Sequence, residues 1–184
     1  MSRCTCLVHF CGLGQLARQY SLVDYFPCKK FFTTYDSDGA FLRLQFTAMD
    51  VQVRLAHQVL HKVVARYLRR DNLLASSIKR LAELAKIGRE ALMNCDIDEL
   101  GDVMMEAWRL HQELDPYCSN ELVDRLFTFS DRYCRGYKLI GAGGGGFALL
   151  LARNAESAKE LRRTLAEDSS FDVKVYDWDI FLQS

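Results

Sequence analysis

The spacing of apolar positions divides the chain near residue 50. Before that point no period is sustained, except that Phe41 to Thr47 alternates well enough to predict a strand. From Gln52 onward the period becomes helical. Ala56, Val59, Leu60, Val63, Val64, Tyr67 and Leu68 recur at three and four, predicting a helix to about Arg70 with one apolar stripe directed at the core. Asp71 or Asn72 can cap a second helix bearing Leu74, Ile78, Leu81, Ala85, Gly88 and Leu92, closed by the break at Asn94 to Asp96. Asp96 with Glu99 makes a capping-box-like start for a third helix, which carries Ile97, Leu100, Met104, Trp108, His111 and Leu114 on one face. Ser119, after Pro116, is placed to cap a shorter fourth helix with Leu122, Val123, Leu126 and Phe127.

The period changes again toward the C-terminus. Tyr137 to Ile140 and Phe147 to Ala152 read as strands, Asn154 as the cap of a helix through Leu165, and Phe171 to Trp178 as a last strand. The fold expected is α+β, a layer of about four helices packed on a small antiparallel sheet. Residues 1–50 form a divergent and poorly ordered N-terminal segment in this reading, and residues 51–184 the folded domain.

Composition narrows the partners. At 184 residues, 49% of them hydrophobic, the chain suits one ordinary domain, and 24 basic residues balance 24 acidic ones. No global field favours nucleic acid or an anionic membrane, and the longest apolar run, Phe147 to Ala152, is far too short to span a bilayer. Nor does Met1 to Phe10 read as a signal peptide. Charge is nevertheless segregated: Gln52 to Arg80 holds seven basic residues and one acidic, and Asp96 to Asp124 holds nine acidic and one basic. Neighbouring helices that complement each other account for this better than a nucleic-acid surface, for which the stretch lacks aromatic platforms.

Seven cysteines, an odd number, with Cys4, Cys6, Cys11 and Cys28 before residue 30 and Cys95, Cys118 and Cys134 scattered beyond, suit reduced thiols in the cytoplasm. Cys4, Cys6, His9 and Cys11 lack the paired spacings of common zinc modules, and no metal site is assigned. His57 and His61 lack a His-Glu-x-x-His pattern, and His111, on an apolar face, reads as a core histidine.

Five of the eleven glycines lie in Gly141-Ala142-Gly143-Gly144-Gly145-Gly146, between two strand-like runs. A bare hairpin turn needs one or two residues of positive φ, so five glycines, each costly in backbone entropy, imply a loop that surrounds an anion or presses on another backbone. The strand after the glycines excludes a dinucleotide-binding fingerprint, and the absence of Gly-Lys-Ser/Thr excludes a Walker loop.

Lys138 to Phe147 resembles the third, C-terminal glycine motif of the GHMP family of small-molecule kinases, Lys-Leu-x-Gly-Ala-Gly-Gly-Gly-Gly-Phe. The runs Val53 to Leu60, Glu106 to Asn120 and Phe171 to Tyr176 extend the likeness to the C-terminal part of the plant bifunctional L-fucokinase/GDP-L-fucose pyrophosphorylases within that family, from about residue 52 to the end. The resemblance implies ATP-dependent, Mg²⁺-dependent phosphorylation of L-fucose to L-fucose 1-phosphate, in the salvage route to GDP-fucose, at a site between this domain and an N-terminal one. Gly141 to Gly146, with Ala142, would pack beside nucleotide and sugar. Arg54 resembles a family arginine that faces the cleft, while Lys138 has two open readings, a contact to phosphate or a solvent-pointing side chain.

Departures from the family pattern matter as much. The earlier phosphate-binding motif, the catalytic Asp and the Mg²⁺-binding acid find no counterpart; Gly12-Leu13-Gly14-Gln15-Leu16-Ala17 replaces both motif serines by Gln15 and Leu16. The junction Thr47 to Gln52 lacks the family's Thr-Gly turn, which points to a truncated or spliced product or a gene-model artefact. The expectation is therefore a kinase domain incomplete by itself, with no catalytic residue assigned. Its rivals are a fragment that retains nucleotide binding and an interaction protein that associates with an intact kinase or its N-terminal domain.

Overall fold

The computed structural model describes residues 41–46, 56–141, 146–171 and 173–176. In chain order these form β1 (Phe41–Phe46), α1 (Ala56–Leu68), α2 (Asn72–Asn94), α3 (Ile97–Leu114), α4 (Glu121–Ser130), β2 (Cys134–Ile140), β3 (Phe147–Ala152), α5 (Ala155–Glu167), a 3-10 turn (Ser169–Phe171) and β4 (Val173–Tyr176). The α+β expectation holds, with five helices and one four-stranded antiparallel sheet among the described residues.

Short polar side chains set the helix starts by accepting otherwise unpaired first-turn amides. Asp71 accepts from Leu74 N, Asp96 from Glu99 N and Asn154 from Ser157 N, the caps expected from sequence. The cap of α4 is Asn120, which accepts from Val123 N, and not Ser119. Ser119 instead directs its hydroxyl to Asp124 Oδ1, because Asn120, one residue nearer the first turn, already holds the amide. α2 ends where Cys95 turns left-handed (φ 57°) and returns its N–H to the last turn.

The strand order is β2-β3-β1-β4. β1 thus occupies an interior place, paired with β3 through Phe41↔Leu151 to Gln45↔Phe147 and with β4 through Arg43↔Tyr176 to Phe46↔Val173. The sheet takes this strand from before residue 50. β3 is buried on both faces, as central strands are when helices cover each side. Ala148, Leu150 and Ala152 join α4 and α5 in one core, around Phe127 and Leu161. Leu149 and Leu151 meet α2 and α3 in the other, around Leu84 and Met104. β2 starts three residues earlier than its sequence pattern suggests, because Gly136 gives up a side chain to admit α3.

α1 departs from expectation. Val64, Tyr67 and Leu68, predicted to face the core, are exposed.

Candidate functional site

Gly141 to Gly146 joins β2 to β3, whose last pair is Ile140↔Phe147. Register places Ile140, Phe147, Gln45 and Lys174 in one row across that end of the sheet. Phe46, the last residue of β1, lies at the same end and eight residues before Arg54. Arg54, Ala142, Gly143, Gly144 and Gly145 lie outside the described residues, as do the Gly12 to Ala17 stretch, the early cysteines with His9, and Trp178.

The two ends of the loop are described. Gly141 has φ +87° and Gly146 φ +86°, a left-handed backbone that favours glycine, and no heavy atom stands within 4 Å of an added Cβ at either. At both positions it is the left-handed φ, not crowding of a side chain, that favours glycine, and both residues are exposed.

Lys138 is 3% exposed, on the sheet face it shares with its cross-strand partner Leu149. Burial removes the solvent-pointing reading of this lysine. Three residues from Gly141, it is held beneath α2 and α3, whose side chains cover that face.

The opposite face of β2 carries two groups that are chemically quiet at neutral pH. Burial raises the Cys134 thiol to about 12, so it is a poor nucleophile. Tyr137 is likewise raised to about 12, first by burial and then by Asp131, to which its hydroxyl donates at 3.3 Å. Trp108 packs in this core between His111 and Phe127, and His111 is half-buried with its ring edge on the indole. The shallow depression lined by Thr128, Phe129, Asp131, Arg132 and Arg153 lies at the other end of the hairpin, beyond the pair Cys134↔Ala152.

Among the described residues no group of three or more His, Cys, Asp or Glu side chains could hold a metal ion. None is assigned to Mg²⁺. No helix among the described residues is long and apolar enough to cross a membrane.

Residues 89–169 match the family model described as GHMP kinases C terminal. Over 129 residues, 70% of this chain, the sequence is 75% identical to the bifunctional fucokinase/GDP-fucose pyrophosphorylase of Arabidopsis thaliana. It is 26% identical over 116 residues, 63% of the chain, to the L-fucokinase/L-fucose-1-P guanylyltransferase of Bacteroides fragilis. Either match spans 12% of the relative. The crystal structure of L. major mevalonate kinase in complex with R-mevalonate shares the fold at a TM-score of 0.63 and 20% identity, over 74% of this chain and 40% of that one.

Proposed function

We propose that this chain, whose residues 89–169 match the GHMP kinase C-terminal domain and whose helices and sheet share that fold, is the C-terminal portion of an L-fucokinase-like sugar kinase. The observation that carries the reading is the 75% identity over 129 residues to a fucokinase-bearing relative. The reaction is transfer of a phosphoryl group from ATP to L-fucose, giving L-fucose 1-phosphate. ATP supplies the group transferred, and Mg²⁺ offsets its charge.

Phosphoryl transfer asks a protein chiefly for positioning and for donors aimed at phosphate oxygens. In this reading Gly141 to Gly146 brings backbone N–H groups beside the nucleotide and sugar, and the buried Lys138 steadies the strand that delivers the loop. By the family resemblance, Arg54 would be the arginine that faces the same cleft. The chain presents one wall of the site. The principal phosphate cradle, the catalytic Asp and the ligands of Mg²⁺ come from kinase sequence that these residues do not match. A cytoplasmic setting goes with this chemistry, supported by Cys95, Cys118 and Cys134, none of which is in a disulfide among the described residues.

The test is incubation of the chain with ATP, Mg²⁺ and L-fucose, followed by phosphorus NMR. No L-fucose 1-phosphate is expected from the chain alone, since losing a preorganised donor set costs several powers of ten in rate. Sustained turnover by the purified chain would overturn the one-wall reading.

A further inference from the structure

The end of the hairpin opposite the glycine loop gathers cations that no carboxylate answers. Arg132 lies just before β2 and Arg153 just after β3, whose pairing begins at Cys134↔Ala152. Both line a depression of about 470 Å³, together with Thr128, Phe129 and Asp131. Each guanidinium is already held in place. Arg132 lies over two rings, 4.5 Å from the centre of Phe129 and 4.8 Å from that of Tyr133, and Arg153 donates from Nη2 to the Asp131 carbonyl at 3.1 Å. Neither forms an ion pair among the described residues, although Arg66, Arg80, Arg109, Arg135 and Arg163 all do. Thr128, exposed on the last turn of α4, makes no side-chain hydrogen bond among the described residues, whereas Thr164 in α5 returns its hydroxyl to the Glu160 carbonyl. The lining carboxylate, Asp131, accepts from the Tyr137 hydroxyl at 3.3 Å.

We infer that this depression binds the phosphate group of a small phosphomonoester. Two guanidinium forks and a hydroxyl suit the three terminal oxygens of such a group better than the two of a carboxylate. Two arginines against Asp131 leave the lining positive. Because their side chains are already fixed by ring and carbonyl contacts, Arg132 and Arg153 lose little freedom when a ligand arrives. A phosphate fills only part of the space, and the rest, beside the half-buried Phe129, admits the body of the ester. None of these residues belongs to the glycine loop, so the site stands apart from the kinase reading.

The test titrates the full chain with glucose 1-phosphate and, separately, with inorganic phosphate, following the arginine Nε–H signals by NMR. The signals of Arg132 and Arg153 should shift together, and glucose 1-phosphate should bind the more tightly by about threefold or more. Arg132→Gln and Arg153→Gln should each weaken binding about tenfold and Thr128→Val about threefold. Arg109→Gln, which removes the same charge from α3, should leave it unchanged. Circular dichroism checks that each variant folds; should Arg153→Gln unfold for want of its bond to the Asp131 carbonyl, Arg132→Gln and Thr128→Val decide the matter. Equal affinity for the two probes, or shifts spread alike over Arg109 and the other exposed arginines, would mean an adventitious ion only and overturn the inference. Binding that vanishes when Gly143 and Gly144 are both changed to valine would overturn it too, by locating the ligand at the glycine loop.

Discussion

The carbonyl oxygen of Gly101 in α3 stands 2.6 Å from where a Cβ on Gly136 of β2 would sit. Helix and strand meet backbone to backbone at this point, and the Cα of Gly101 is only 3.0 Å from the same position. Neither atom belongs to a flexible side chain, so the helix would have to move to admit a methyl group. Beside the contact Arg135 pairs with Asp98, which anchors the start of α3 to the start of β2. This junction joins the helices to the hairpin that carries the glycine loop.

Gly136→Ala should therefore destabilise the domain by about 2 kcal/mol, the order expected of overpacking. Urea unfolding followed by circular dichroism measures it. Gly101→Ala should cost less, since its added Cβ comes no closer than 2.9 Å, to Arg135, and alanine improves helix propensity by about 1 kcal/mol.

At the loop the cost has a different origin. Gly141→Ala and Gly146→Ala meet no atoms, but each places alanine at a φ near +87°, which costs about 1 kcal/mol. Asparagine tolerates left-handed backbone better, so Gly141→Asn should be milder than Gly141→Ala in the same unfolding assay. Asparagine as costly as alanine or costlier would show that the left-handed φ does not govern the position.

The link between α2 and α3 predicts a pH dependence. Arg80 donates from Nε and Nη2 to the two oxygens of Glu106, at 2.7 and 2.8 Å. Those hydrogen bonds hold the Glu106 carboxyl below its ordinary 4.5. A depressed carboxylate gives stability that is full above the ordinary value and is lost as pH falls through the lowered one. Glu106→Gln should thus unfold more easily than the parent at pH 7, and the two should converge as pH drops well below 4.5. The half-exposed pair is screened by water and salt, so the difference should also shrink at high ionic strength.

Much of this architecture was readable from local chemistry. Asp71, Asp96 and Asn154 announce helix starts because capping needs only one short polar side chain and the amide three residues on. The exchange of Ser119 for Asn120 is a one-residue error of the same kind. Alternation located β1, but not its place between β3 and β4, which depends on pairing more than 100 residues away. The outward stripe of α1 escaped for a related reason, since Arg66 finds its carbonyl partners 47 and 48 residues on. For the site, the glycine run was plain in the sequence and the burial of Lys138 was not, because strand alternation gives two faces without saying which is covered. Charge segregation proved informative: the Arg80–Glu106 pair is one place where the basic and acidic stretches meet.

The most direct test replaces the matched 129 residues of the Arabidopsis relative with those of this chain and measures ATP-dependent formation of L-fucose 1-phosphate. The kinase reading predicts a turnover within about tenfold of the parent enzyme, lost on changing Gly143 and Gly144 together to valine, because bulky side chains would keep phosphate from the loop backbone. A folded chimera that retains its pyrophosphorylase activity but makes no L-fucose 1-phosphate would contradict it.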